Sequence, residues 1–178
     1  MSYDDYNPVD EYCGVHEVVL NEEEMSNFYS HMEINHFDLL TNEYVIIKNE
    51  ENEIVDKLCW TGETHRALKY EVFSSMWFGA VKPLKDDPYQ ACAADSLINN
   101  TITMICGKPG SGKTYLALAY LFSQLHKGKI DRIVVFCNPV VAKDAAKLGF
   151  YPGTVLEKLL ATQAGAVLSS KLGSDVEV

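Results

Sequence analysis

The chain has 178 residues, enough for one compact domain or a domain with a small module, and 47% of them are hydrophobic, which supports a real core rather than a disordered tail. Fifteen basic side chains face 25 acidic ones, and the imbalance is lopsided: residues 1–81 carry 4 basic and 17 acidic groups (net −13), residues 82–178 carry 11 and 8 (net +3). Counterion release needs clustered Lys and Arg, so the front half is a poor nucleic-acid surface while the back half tolerates a polyanion.

In chain order, residues 1–14 read as a polar start without a signal peptide. Val15–Leu20 is a strand candidate. Asn21 can cap a helix over about residues 22–32, where Glu22, Glu23 and Glu24 suit the positive helix end and Met25, Phe28, Tyr29 and Met32 recur at helical spacing. Tyr44–Ile47 and Ile54–Trp60 form a hairpin across the polar turn Asn49–Glu53, and Leu68–Phe73 is a further strand candidate. Residues 1–81 are thus expected to form an acidic, β-rich module.

Lys82–Pro88, with two prolines and two aspartates, is a linker. Tyr89–Asn99 follows as a helix with Ala91, Ala94, Leu97 and Ile98 on one face. Thr101–Cys106 reads as a strand, Gly107–Gly112 as a glycine-rich loop, Lys113–His126 as a helix ended by Gly128, and Ile130–Cys137 as a second buried strand stopped by Pro139. That order predicts a parallel βαβ unit. A last helix is expected over Val155–Leu168, and Val176–Val178 begins another strand. No run of about 18 apolar residues exists, so no membrane-spanning helix is expected. The five cysteines, Cys13, Cys59, Cys92, Cys106 and Cys137, form no close pair. Cys106 and Cys137 end apolar runs and read as buried free thiols, which points to a reducing compartment, the cytoplasm.

Gly107, Lys108, Pro109, Gly110, Ser111, Gly112, Lys113 and Thr114 fit G-x-x-x-x-G-K-[ST] without a mismatch. A triphosphate is a dense anion. Glycines let backbone amides turn toward it, and the following helix presents its positive end. Lys113, the residue with a catalytic role, would bridge the β- and γ-phosphates as a point charge, Thr114 would place its hydroxyl on Mg²⁺, and Tyr115 adjoins them on the same helical turn. The implied ligands are ATP and magnesium.

From Lys82 onward the sequence resembles the PhoH-like ATPases. The resemblance is carried by Thr101–Leu118, Arg132–Val135 and Lys147-Leu148-Gly149-Phe150-Tyr151-Pro152-Gly153, which is similar to the family's K-L-G-F-L-P-G signature with Tyr151 in place of Leu. Leu39–Trp60 resembles the β-rich region that precedes the ATPase in some bacterial and phage members. The resemblance implies a RecA-like P-loop core over residues 82–178, with a partial parallel sheet flanked by helices. It also implies ATP hydrolysis linked to RNA, possible assembly into a homo-oligomer, and, for a phage protein, residence in the host cytoplasm. It places Gln90 where a glutamine reads the adenine edge, a role a carboxamide suits because it both donates and accepts.

The sequence departs from the family pattern in two ways. No D-E-A-Q-like strand end is present; Asp175 and Glu177 lack a hydrophobic strand before them, and Ile130–Cys137 ends in Asn138. Asn138-Pro139 stands where the family has Arg-Pro. Phosphoryl transfer depends on such positioned charges, so hydrolysis by this chain alone is expected to be weak, as for the first half of a PhoH-like ATPase. The alternative is a non-hydrolysing nucleotide-binding module serving a partner chain.

Other groups read as structural. Cys13 with His16 lacks a second zinc-ligand pair, His31 and His36 suit a helix end, and Cys59 with His65 lacks an orienting third group. Trp60, Tyr70, Phe73, Trp77 and Phe78 read as packing aromatics rather than a base-stacking platform, and Lys143, Lys147 and Lys158 as a solvated face.

Overall fold

In a computed structural model, residues 13–136 and 163–172 are described. The Lys147–Gly153 signature, Cys137, Asn138-Pro139, Lys143, Lys158, Asp175, Glu177 and Val176–Val178 lie outside them. Among the described residues ten elements follow in order: β1 (Val15–Val19), α1 (Glu22–Ser30), β2 (Tyr44–Lys48), β3 (Ile54–Trp60), β4 (His65–Ala67), β5 (Phe73–Ser75), β6 (Gly79–Val81), α2 (Pro88–Asn99), α3 (Lys113–His126) and α4 (Gln163–Leu172). They divide into two compact units, β1–β4 with α1 and α2, and β5–β6 with α3 and α4. The chain is α/β, with a mixed sheet and flanking helices.

The first unit is built on a sheet of order β1-β2-β3-β4, parallel between β1 and β2 and antiparallel elsewhere. A parallel pair needs a crossover, and α1 supplies it. Its start is fixed by a capping box: Asn21 Oδ1 accepts from the Glu24 amide and a Glu24 carboxylate oxygen from the Asn21 amide, both at 2.9 Å. All of Tyr44–Ile47 is buried, as expected of a strand covered on both faces. Val45 and Ile47 join Phe28 of α1, Leu39, Leu58 and Trp60 in one core. Tyr44 and Cys59, on the other face, pack with Cys92 of α2. The β2–β3 hairpin turns through Asn49–Glu53, where Asn52 takes φ 62° and the Asn49 side chain accepts from the Glu53 amide at 2.8 Å.

α2 is held by a buried carboxylate. Asp95 is fully buried and accepts from the Tyr44 hydroxyl (2.9 Å), both Arg66 guanidinium nitrogens (2.8 and 2.9 Å), the Lys69 amide (2.6 Å) and the Asn99 carboxamide (3.2 Å). Bidentate pairing to Arg66 with three further donors replaces the water that a buried anion loses.

In the second unit, the β5–β6 hairpin packs on α3. Phe73 meets Tyr120 edge-on at 5.2 Å, Trp77 meets Phe122 at 5.3 Å, and Phe78 meets Phe122 at 5.2 Å. Lys127 and Glu71 form an ion pair at 2.6 Å. Phe73 and Phe78 here, and Trp60 in the first unit, are buried packing aromatics, as the sequence suggested.

Several expectations change. Leu68–Phe73 is not one strand; the chain pairs instead at His65–Ala67 and Phe73–Ser75. Thr101–Cys106 and the described part of Ile130–Cys137 form no strand, so no parallel βαβ unit surrounds the loop among the described residues. Ile102 (88%), Met104 (87%) and Phe136 (94%) are largely exposed. Parallel strands rich in β-branched residues are stable only when neighbours pair with them and helices cover them, and no described strand pairs with either run. For the same reason Cys106 is exposed, not buried. The described part of the last helix, Gln163–Leu172, overlaps the expected Val155–Leu168 and runs on to Leu172, while the expected start at Val155 lies outside the described residues.

Candidate functional site: the glycine-rich loop

The loop Gly107–Gly112 is exposed and opens directly into α3. Three of its glycines adopt positive φ: Gly107 at 149°, Gly110 at 82° and Gly112 at 80°. Gly112 is the N-cap of α3 in the left-handed region, where a side chain would cost about 1–2 kcal/mol. A Cβ at Gly107 would meet Ser111 Oγ and Lys113 Cδ at ordinary contact distances, 3.5 and 3.7 Å, so backbone conformation, not space, calls for glycine there.

Among the described residues no side chain caps α3. Its first-turn amides therefore keep their hydrogens for a ligand, at the end where the helix dipole is positive. Lys113 folds back over the loop: its ammonium donates to the carbonyls of Gly107 (2.8 Å) and Lys108 (2.7 Å) and to Ser111 Oγ (3.3 Å). These three acceptors hold the cation at the centre of the loop. Thr114 and Tyr115 follow on the first turn, both half-buried. Behind them α3 is anchored by buried Leu116, Leu118, Ala119 and Phe122. This donor set, one ammonium with uncapped amides and a hydroxyl, fits a polyphosphate with its divalent ion: the anion takes the lysine and the amides, and the metal a threonine oxygen.

The Tyr115 ring is half-buried. It lies against Phe78 at 5.4 Å, and the ammonium of Lys171 from α4 sits over it at 5.4 Å. Gln90 belongs to the first turn of α2, where its amide is capped by Asp87 (3.0 Å) and its carboxamide oxygen accepts from the Leu84 amide at 3.1 Å.

The remaining candidates resolve into structure. His31 is the C-cap of α1, with Nδ1 paired to the Asn27 carbonyl at 3.0 Å. Burial raises the Cys59 thiol above its usual range and lifts Cys92 to about 12, so neither is a nucleophile at neutral pH. His65 is buried with Nδ1 on the Met32 carbonyl at 2.9 Å, and burial lowers its pKa. Among the described residues no cluster of His, Cys, Asp and Glu could hold a metal ion, and no helix is long and apolar enough to cross a membrane.

Sequence reasoning missed two groups. Asp95 carried a signal, because it lies four residues after Ala91 on the apolar face of α2. Lys171 carried none, since only the folded chain brings it to the start of α3.

A glycine-rich loop of this pattern, opening an uncapped helix with lysine and threonine at its first two positions, defines a P-loop protein. The family model described as "PhoH-like protein" matches residues 81–171, about half of the sequence. This chain belongs to the PhoH-like family. It is 40% identical over 65 residues to a "PhoH-like protein" of Mycobacterium leprae, an alignment covering 36% of this chain and 18% of that protein. It is 27% identical over 157 residues to "Protein PhoH2" of Bacillus subtilis, covering 83% of this chain and 34% of that protein. The chain thus spans between about a fifth and a third of the length of these curated relatives. No solved structure matches it significantly.

Proposed function

We propose that the chain binds ATP with magnesium at Gly107–Thr114 and is an ATPase, or the nucleotide-binding part of one, that acts in RNA metabolism. The observation that carries this reading is the Lys113 ammonium held over a loop of positive-φ glycines at an uncapped helix start. On ATP binding, Lys113 exchanges its carbonyl acceptors for β- and γ-phosphate oxygens, a stronger, charge-assisted pairing. The amides of Gly110, Gly112 and Lys113 turn to the phosphates, and Thr114 gives its hydroxyl to the magnesium shell. Bound magnesium neutralises the charge that develops on the phosphoryl group.

The finer parts of the reading rest on the family resemblance. They are a RecA-like core over residues 82–178 behind an acidic module at 1–81, adenine recognition by Gln90, an RNA partner, assembly into a homo-oligomer or with a partner chain, and a cytoplasmic setting. The test is calorimetric titration of Mg²⁺-ATP into wild type and Lys113→Ala, followed by phosphate release with and without single-stranded RNA. Saturable binding by wild type and none by the variant is expected. Absence of binding by wild type overturns the reading; binding without turnover reduces it to a nucleotide-binding module.

A further inference from the structure

We infer that Lys171 is a second cation of the phosphate site, delivered in cis by α4 to the first turn of α3. This rests on the nucleotide-binding reading above and adds a residue to it. The Lys171 ammonium lies 5.4 Å from the centroid of Tyr115 and 5.8 Å from that of Phe78. Tyr115 is the third residue of α3, directly after Lys113 and Thr114. The ammonium therefore stands over a side chain carried by the same helical turn that opens from the loop.

Its surroundings are aromatic. It is half-buried, and among the described residues it pairs with no carboxylate; its partners are two aromatic faces. Lys127 and Lys48, by contrast, each hold an acidic partner. A cation over aromatic rings keeps most of its charge available, because the ring quadrupole attracts it without neutralising it. A triphosphate with its magnesium ion still carries about two negative charges, more than Lys113 alone can balance, and a flexible four-carbon stem lets Lys171 reach from the rings toward the phosphates. The aromatic pair then acts as a rest that keeps the ammonium oriented and near the loop.

The alternative is a purely structural lysine that docks α4, and three variants separate the two. Lys171→Met keeps the aliphatic contact with the rings and removes the charge. Lys171→Arg keeps the charge. Lys113→Ala reports whether the loop binds at all. Each is titrated with Mg²⁺-ATP and with inorganic tripolyphosphate at low and moderate salt, and each apo form is melted thermally. The expected result is about tenfold weaker binding of both ligands by Lys171→Met, near-wild-type binding by Lys171→Arg, and a smaller salt dependence for Lys171→Met. The apo melting temperatures should stay close together. Unchanged affinity in Lys171→Met overturns the inference while leaving the site intact. A lowered apo melting temperature with an equal loss for Lys171→Arg overturns it in favour of docking. If wild type binds neither ligand, the nucleotide reading falls first, and the inference with it.

Discussion

Replacing Asp95 by alanine should destabilise the first unit by about 3–5 kcal/mol, the usual cost of removing one partner from a buried ion pair. Asp95 is fully buried, and its loss strands five donors: the Tyr44 hydroxyl, two Arg66 nitrogens, the Lys69 amide and the Asn99 carboxamide. The Arg66 side chain keeps 22% of its surface, so its orphaned guanidinium can turn to water, which places the expectation in the lower half of that range. For a chain of this size the melting point should fall by about 6–16 °C. The two tryptophans make the assay specific, because Trp60 lies in the first unit and Trp77 in the second. In a Trp77→Phe background, urea unfolding followed by Trp60 fluorescence reads the first unit alone. Asp95→Asn should lose less, keeping the shape and some hydrogen bonds. Arg66→Met added to Asp95→Ala should recover part of the loss by removing the stranded charge. A loss below about 1 kcal/mol for Asp95→Ala would refute the claim that this carboxylate fastens α2 to the sheet.

Three further outcomes follow from the same geometry. Gly112→Ala should cost about 1–2 kcal/mol of stability, from its φ of 80°, and weaken Mg²⁺-ATP binding; calorimetry beside a thermal melt checks both. Below about pH 6.5 the unfolded chain takes up a proton at His65 that the folded chain, with its lowered pKa, refuses, so stability should fall as pH drops from 6.5 toward that lower value. His65→Phe should flatten this slope in urea titrations at stepped pH, and an unaltered slope counts against the burial argument. Exposed Cys13 and Cys106 should be alkylated in the folded protein, while Cys59 and Cys92 should react only after unfolding, as peptide mapping by mass spectrometry would show.

What could be read without coordinates was what is local. The Asn21 cap of α1, the Asn49–Glu53 turn and the bounds of α3 all follow from side chains acting within a few residues of themselves. The phosphate-loop pattern was legible for the same reason, since each glycine answers a backbone demand at its own position. Asp95 shows where local reading stops. Its partners Tyr44, Arg66 and Lys69 lie 26 to 51 residues away, and only the fold assembles them around one carboxylate. Thr101–Cys106 shows the opposite failure. Its apolar alternation is a genuine strand pattern, yet a strand exists only with a partner, and among the described residues none pairs with it. Ile102 and Met104 therefore stand largely exposed. The loop's form thus does not depend on that ladder: left-handed glycines, the helix start and the Lys113 hydrogen bonds suffice to shape it. What a paired strand would add is rigidity behind the loop. If the proposed nucleotide reading holds, affinity for a polyphosphate should accordingly survive in this chain even where fast turnover, which needs charges fixed to within a fraction of an ångström, does not.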